Sequence, residues 1–263
     1  MRNIWEDAVS YNKLSEYIQK KIVEKLLNNS NISGKILEIG CGTGNSLNYI
    51  KKDNVSEYLG IDISNNMIEF ARNRYGSRNI QFYVSDFLKC SKKSIKSDYY
   101  DNVISTGVFH WFRPNEEKVM KKIHSALKQK GQFYLSLASN FKHIISDNSI
   151  KQEILVRLSN KYKVIIPNNV SFKNMRFNNS AIRKITNLFT IKVYSHFEKK
   201  IEFPSMDSFK AWNLSSGLYF KEYIPDRIRE EFFGEYFKDL YKEYLKGNYI
   251  QRHSVDILHL EKN

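Results

Sequence analysis

Residues 35–44 read KILEIGCGTG, a run in which a single carboxylate, Glu38, stands among apolar residues ahead of Gly40, Gly42 and Gly44. A strand that only had to pack would stay apolar to its end. A strand that runs into a glycine turn instead brings bare backbone up to a ligand, the general device of nucleotide-binding α/β proteins. The spacing is E-x-G-x-G-x-G rather than the dinucleotide pattern G-x-G-x-x-G, and no Lys-Ser/Thr pair follows to hold phosphates. Two more acids end later apolar runs: Asp62 closes EYLGID (57–62), and Asp86 precedes Phe87. The set suits a nucleoside that carries positive charge and no phosphate.

S-adenosylmethionine, with a sulfonium and an α-ammonium, has that chemistry. Glu38 would face the positive charge, directly or through water. Asp62 would accept from the ribose hydroxyls. Asp86 would accept from the adenine amino group while Phe87 packs on the ring. Singly, Glu38 reads as well as a satisfied structural carboxylate, Asp62 as a helix cap and Asp86 as a turn residue. All three fall at carboxyl ends of strands, where doubly wound sheets bind ligands, and together they favour the cofactor site.

A second cluster, STGVFHWF (105–112), holds His110, a candidate general base or a hydrogen-bonded positioning group. Trp111 either walls an acceptor pocket or packs in the core. Arg113, Lys142, His143, Arg176, Arg252 and His253 could anchor an anionic acceptor. Among 42 Lys and Arg, any one of them reads equally as a solvated surface residue. The two cysteines, Cys41 and Cys90, show no metal-ligand spacing, which argues for a reducing compartment and against a zinc site.

The elements that must position these groups alternate. Residues 4–28 read as an amphipathic helix, with Ile18, Ile22 and Leu26 at helical spacing. Strands are expected at 35–40, 57–62, 79–86, 100–106 and 131–139. Helices are expected from Thr43 to Lys51, from an N-cap at Ser64 to Arg74, and from Pro114 to Lys128 with Gly131 as the stop. Five strands alternating with helices imply a doubly wound, mostly parallel α/β sheet. Residues 140–177 break the pattern and read as a cap insertion. A helix near 178–188, a strand at 189–203, helical material over 204–246 and a last strand at 249–260 would close the fold within one domain. In the final helix Ile228, Phe232, Tyr236, Leu240 and Tyr244 share one face.

The formal charge of +14 suggests an acidic partner, nucleic acid or anionic substrate, but the lysines are scattered, which favours a compositional habit. No apolar run is long enough to span a bilayer and the start lacks a signal peptide's apolar core, so the expected setting is cytoplasmic.

Over roughly residues 8–139, and again in the closing strands, the sequence resembles the class I S-adenosylmethionine-dependent methyltransferases. The stretches that carry the likeness are ILEIGCGTG, GIDISNNMIEFA, Asp86-Phe87 and YDNVISTGVFHWF. The resemblance implies a Rossmann-like, seven-stranded sheet with helical cap insertions. It places Gly40, Gly42 and Gly44 around the methionine moiety, Asp62 and Ile63 at the ribose and adenine, and Met67 over the adenine face, where core packing is the competing role. The chain lacks the Asn/Asp-Pro-Pro-Tyr and Pro-Cys motifs of nucleobase enzymes, which counts against nucleic acid. His110-Trp111 is similar to the trans-aconitate and malonyl carrier-protein O-methyltransferase types. In that likeness Tyr11 closes over the cofactor and the late insertion caps the substrate. The implied reaction is methylation of a small molecule at a carboxylate oxygen. Alternatives are N-, O- or C-methylation with His110 as base, or a carrier-protein-bound or RNA acceptor.

Overall fold

A computed structural model describes residues 19–28, 30–91, 94–138, 144–167, 186–215 and 220–263. Its sheet contains β1 (Gly34–Ile39), β2 (Val55–Asp62), β3 (Ile80–Val84), β4 (Tyr100–Ser105), β5 (Leu127–Ala138), β6 (Phe189–Lys200) and β7 (Arg252–Lys262). The strand order is β3-β2-β1-β4-β5-β7-β6. Strands β1 to β5 pair in parallel, and β7 returns antiparallel to β5. The chain order reverses between β1 and β4, the switch point at which open α/β sheets leave a crevice beyond their carboxyl ends.

Helices α1 (Gln19–Leu27), α2 (Asn65–Tyr75) and α3 (Glu116–Ala126) belong with this sheet. α3 buries Val119, Met120, Ile123 and Ala126, spaced for one helix face, in a core shared with Val103, Leu135 and Leu258. α2 is capped as its sequence suggests, with the Ser64 hydroxyl accepting from the Met67 amide. At the opposite end of the sheet from the crevice, Asp101 accepts from the Lys35 amide at 2.8 Å and from Lys128 Nζ at 2.6 Å, tying β1, β4 and β5 together.

The chain divides into two compact units, Met1–Ser139 with Phe177–Phe197 and Val255–Asn263, and Asn140–Arg176 with Glu198–Ser254. The second contains α4 (Ile144–Tyr162), α5 (Met206–Ser215) and α6 (Asp226–Leu245). Its core is aromatic: Phe209, Phe220, Phe232, Phe233, Tyr236 and Phe237 pack with Ile154, Leu155, Leu158 and Leu240. On α6 the fully packed stripe is Phe232, Tyr236 and Leu240 widened by Phe233 and Phe237, while Ile228 and Tyr244 flank it half-buried.

Two helices differ from expectation. The helix expected from Thr43 to Lys51 is a single 3-10 turn, Asn45–Asn48, because Asn and Ser side chains compete with helical backbone bonding. The helix expected at Pro114 starts two residues later, since the Asn115 amide donates to the Phe112 carbonyl in a turn that must finish first. That helix also stops at Ala126: Leu127 pairs with Tyr100 as the first residue of β5, and Lys130 rather than a glycine takes the positive φ of 63°. Of the expected helix near 178–188, residues 178–185 lie outside those described.

Candidate cofactor-binding site

A cavity of about 690 Å³ lies at the carboxyl ends of β1, β2 and β4 and beside the turn after β3, with its whole lining in the first unit. That size suits a nucleoside-sized ligand. Glu38, Gly40, Gly42, Asp62, Ile63, Met67, Asp86, Phe87 and Trp111 all line it.

The glycine turn is shaped by two contacts. The Gly40 and Cys41 amides both donate to the Ile61 carbonyl, at 2.7 and 3.1 Å, which folds the turn back over β2. Gly40 itself has φ of 68°, and a Cβ there would come within 2.3 Å of Val108 Cγ2. Gly42, with φ of 51°, has nothing within 4 Å of a Cβ position, so its side faces open space.

Asp62 braces the turn. Its Oδ2 accepts from the Gly42 amide and its Oδ1 from the Ser64 amide, each at 2.9 Å, so one carboxylate links two loops. Burial pushes its pKa up, against the pull of those amides. The Ile63 amide favours its charged form as well, and the acceptor capacity that these amides leave is open to a ligand hydroxyl. Asp86 accepts from the Leu88 amide at 3.0 Å. Phe87 is buried against the core beside Phe112, and Lys122 Nζ donates to the Phe87 and Cys90 carbonyls, fixing this loop from behind. Met67 is buried, whereas Ile63 is 74% exposed and Trp111 42% exposed at the rim.

Glu38 is 2% exposed. Its Oε2 accepts from the hydroxyls of Ser46 and Tyr58. Removal from water raises its pKa to about 7, although both hydroxyls favour the charged form. Tyr58 and Ser46 were not singled out in the sequence. Their signal was available for Tyr58, which precedes Gly60, the register partner of Glu38, by two residues and so shares its face. Gly60 supplies the room: a Cβ there would meet Phe82 at 2.6 Å.

Several expected residues fall elsewhere. Gly44 is not in the lining; its φ of 76° starts the 3-10 turn, and its open side faces the Tyr75 and Phe82 rings. His110 is not in the lining either, and its ring lies 5.0 Å from that of Trp111. It belongs to the 3-10 turn Phe109–Phe112, of which Trp111 and Phe112 line the cavity. Arg113 is also off the wall, paired with Glu116 at 3.0 Å. Arg252 pairs with Glu198 at 2.9 Å. Tyr11, Lys142, His143, Arg176 and the His253 side chain lie outside the described residues. Among the described residues no cluster of three His, Cys, Asp or Glu could hold a metal ion, and no helix is long and apolar enough to cross a membrane.

This Rossmann-like sheet, with a carboxylate-lined cavity over its glycine turn, has the architecture of a nucleoside-cofactor transferase. A family model described as a methyltransferase domain matches residues 31–165, just over half of the chain. The chain belongs to this methyltransferase-domain family. It is 33% identical over 123 residues to a malonyl-[acyl-carrier protein] O-methyltransferase of Acetivibrio thermocellus, across 43% of this chain and 40% of that protein. It is 30% identical over 187 residues to malonyl-[acyl-carrier protein] O-methyltransferase 2 of Ilyobacter polytropus, across 62% of this chain and 69% of that protein. For three of the curated relatives the match spans only 40%, 58% and 44% of their length. The crystal structure of the MccD protein superposes with a TM-score of 0.58 at 19% identity, covering 93% of this chain and 97% of that one. It shares the fold.

Proposed function

We propose that this methyltransferase binds S-adenosylmethionine in the cavity and methylates a carboxylate oxygen of a small acyl acceptor, free or attached to a carrier protein. Asp62 accepts from the ribose with the acceptor capacity that its amide donors leave over. Asp86 and Phe87 take the adenine edge and face, with Met67 and Ile63 on the other side of the ring. Gly42, with open space where a side chain would be, lets the ligand lie against backbone. Glu38 has no cationic partner among the described residues and turns its charge toward the ligand's cation.

When bound, the cofactor supplies a methyl carbon activated by its sulfonium; the sulfur–methyl bond breaks as the oxygen–methyl bond forms, and the electron pair returns to sulfur. The protein's own part is to hold the partners in line and exclude water. A carboxylate acceptor is already a nucleophile and has no proton to lose. The observation that carries this reading is that, among the described residues, the cavity wall holds no histidine and does not include His110, which supports a reaction without a neutral-pH base. Its support from the relatives is that two of them are named for O-methylation of a malonyl carrier protein, whose malonyl group offers a free carboxylate.

The test is product analysis by mass spectrometry with free dicarboxylic acids, malonyl thioesters and a malonyl-loaded carrier protein, alongside amine and phenol acceptors. Methyl esters are expected, with His110→Ala retaining activity within a few-fold. Methylation confined to amines or phenols, or a loss of about 10²–10⁴ in rate in His110→Ala, would overturn it.

A further inference from the structure

Glu38 is an uncommon carboxyl. It is almost wholly buried, it lines the cavity, and its hydrogen-bond partners are two neutral hydroxyls on one oxygen, Oε2. Among the described residues, the groups around it bring no positive charge. From β2 come Tyr58 and, at the strand end, Asp62; from the glycine turn come Cys41 and Ser46; on the other flank β4 sets Ile104 in register with it. Asp62 adds repulsion, and the basic residues on the cavity wall, Lys20 and Arg74, are exposed and act on it through no direct contact. Buried carboxyls with neutral donors and an acidic neighbour keep their proton until a cation arrives.

We propose that cofactor binding at this site is coupled to the release of a proton from Glu38: neutral in the ligand-free protein, the carboxyl ionises when a cationic nucleoside lies beside it. The inference rests on the reading that sets the cofactor's positive charge next to Glu38, and it adds a property that reading does not require. Ser46 and Tyr58 then act as positioning residues. Neutral Glu38 donates or shares one proton within the cluster; ionised Glu38 accepts from both hydroxyls at Oε2 and presents Oε1 to the ligand. The midpoint of the coupling follows the ligand-free carboxyl, near pH 7. Below it the protein must surrender a proton before it can hold the cation, so affinity falls as pH falls. Because only the ionised fraction is competent, affinity drops close to tenfold between pH 7.5 and pH 6. Among the described residues no histidine lines the cavity to produce the same slope.

Isothermal titration of the full chain with S-adenosylmethionine, between pH 6 and 7.5 and in two buffers of different ionisation enthalpy, reads the proton directly. Adenosine, which has neither cation, is the control ligand. At pH 7 about half a proton should leave per S-adenosylmethionine bound, and none with adenosine. Tyr58→Phe removes a donor that favours the charged form without touching the lining, so it should move the pH dependence to higher pH. Glu38→Gln should abolish it while still binding adenosine. Buffer-independent heats and a flat pH profile for S-adenosylmethionine, with adenosine still binding, would overturn the coupling and leave the cofactor site standing. Failure of both ligands to bind would overturn the site as well.

Discussion

Replacing Gly40 with alanine tests whether the glycine turn is shaped by the loop after β4 or by conformation alone. The backbone at Gly40 has φ of 68°, a region where an L side chain costs roughly 1–2 kcal/mol. The added Cβ would also fall 2.3 Å from Val108 Cγ2 and 2.7 Å from Val108 Cβ. A β-branched side chain cannot turn aside from both contacts, so the loop must shift, at about 1–3 kcal/mol. Gly40→Ala should therefore lose about 2–5 kcal/mol in total. Gly42→Ala isolates the first part: its φ is 51° and no atom lies within 4 Å of the new Cβ, so only about 1–2 kcal/mol is expected. Val108 is half-buried, and Val108→Ala by itself should cost about 1 kcal/mol. In the double variant the contacts with both Val108 Cγ atoms are gone and only the approach to its Cβ remains, so the losses should fall short of additivity by about 1 kcal/mol or more. Urea unfolding of the four proteins at matched m-values measures this. Additivity within about 0.5 kcal/mol would refute the claim that Val108 is what requires a glycine here.

Two further perturbations follow from burial. Burial pushes Glu38 up to about 7 in the folded protein, against 4.5 for a free carboxyl, so the folded state binds the extra proton between those values. Stability is then full below the lower value and is lost as pH rises through the upper one. Wild type should lose about 3 kcal/mol relative to Glu38→Gln over that range, read by urea unfolding across pH, and parallel profiles would contradict it. Tyr236 lies fully buried in the core of the second unit, and its hydroxyl finds no hydrogen-bond partner among the described residues. Tyr236→Phe should therefore match or exceed wild-type stability by up to about 1 kcal/mol, and a clear loss in thermal unfolding would reveal a bond to that hydroxyl.

The parallel sheet was legible because each β–α unit writes its own pattern: an apolar run, an acid or glycine at the strand end, then a helix signal such as Ser64. The cavity wall was legible for the same reason, since Glu38, Asp62 and Asp86 line it and each sits within a residue or two of a strand end. Partners distant in sequence were not. Nothing local to Ser46 or Tyr58 marks it as a donor to Glu38, because the contact depends on the register of β1 on β2. His110 misled because residue type gives chemistry without direction. On a 3-10 turn, neighbours point to different sides, and Trp111 and Phe112 took the places facing the cavity. Gly44 misled in a similar way. A glycine spaced evenly with Gly40 and Gly42 looks equivalent to them, yet its missing side chain makes room for Tyr75 and Phe82.

The two acids at the heart of the cavity show how structural and ligand roles merge in one residue. Asp62 holds the Gly42 and Ser64 amides, so the carboxylate that is to accept from a ribose is also what fixes the turn beneath it. Removing it takes away a ligand contact and loosens the backbone that the ligand lies on, and lost binding by itself would not tell these apart. Glu38 is the reverse case. Its burial costs stability at neutral pH, and on the proposed reading a cationic ligand relieves that cost, so its replacement should stabilise the fold while weakening cofactor binding. Opposite signs in stability and binding would mark a group kept for its ligand, and equal signs one kept for the fold. On the proposed reading Glu38 is expected to be of the first kind and Asp62 of both, which would account for an acid in an otherwise apolar strand.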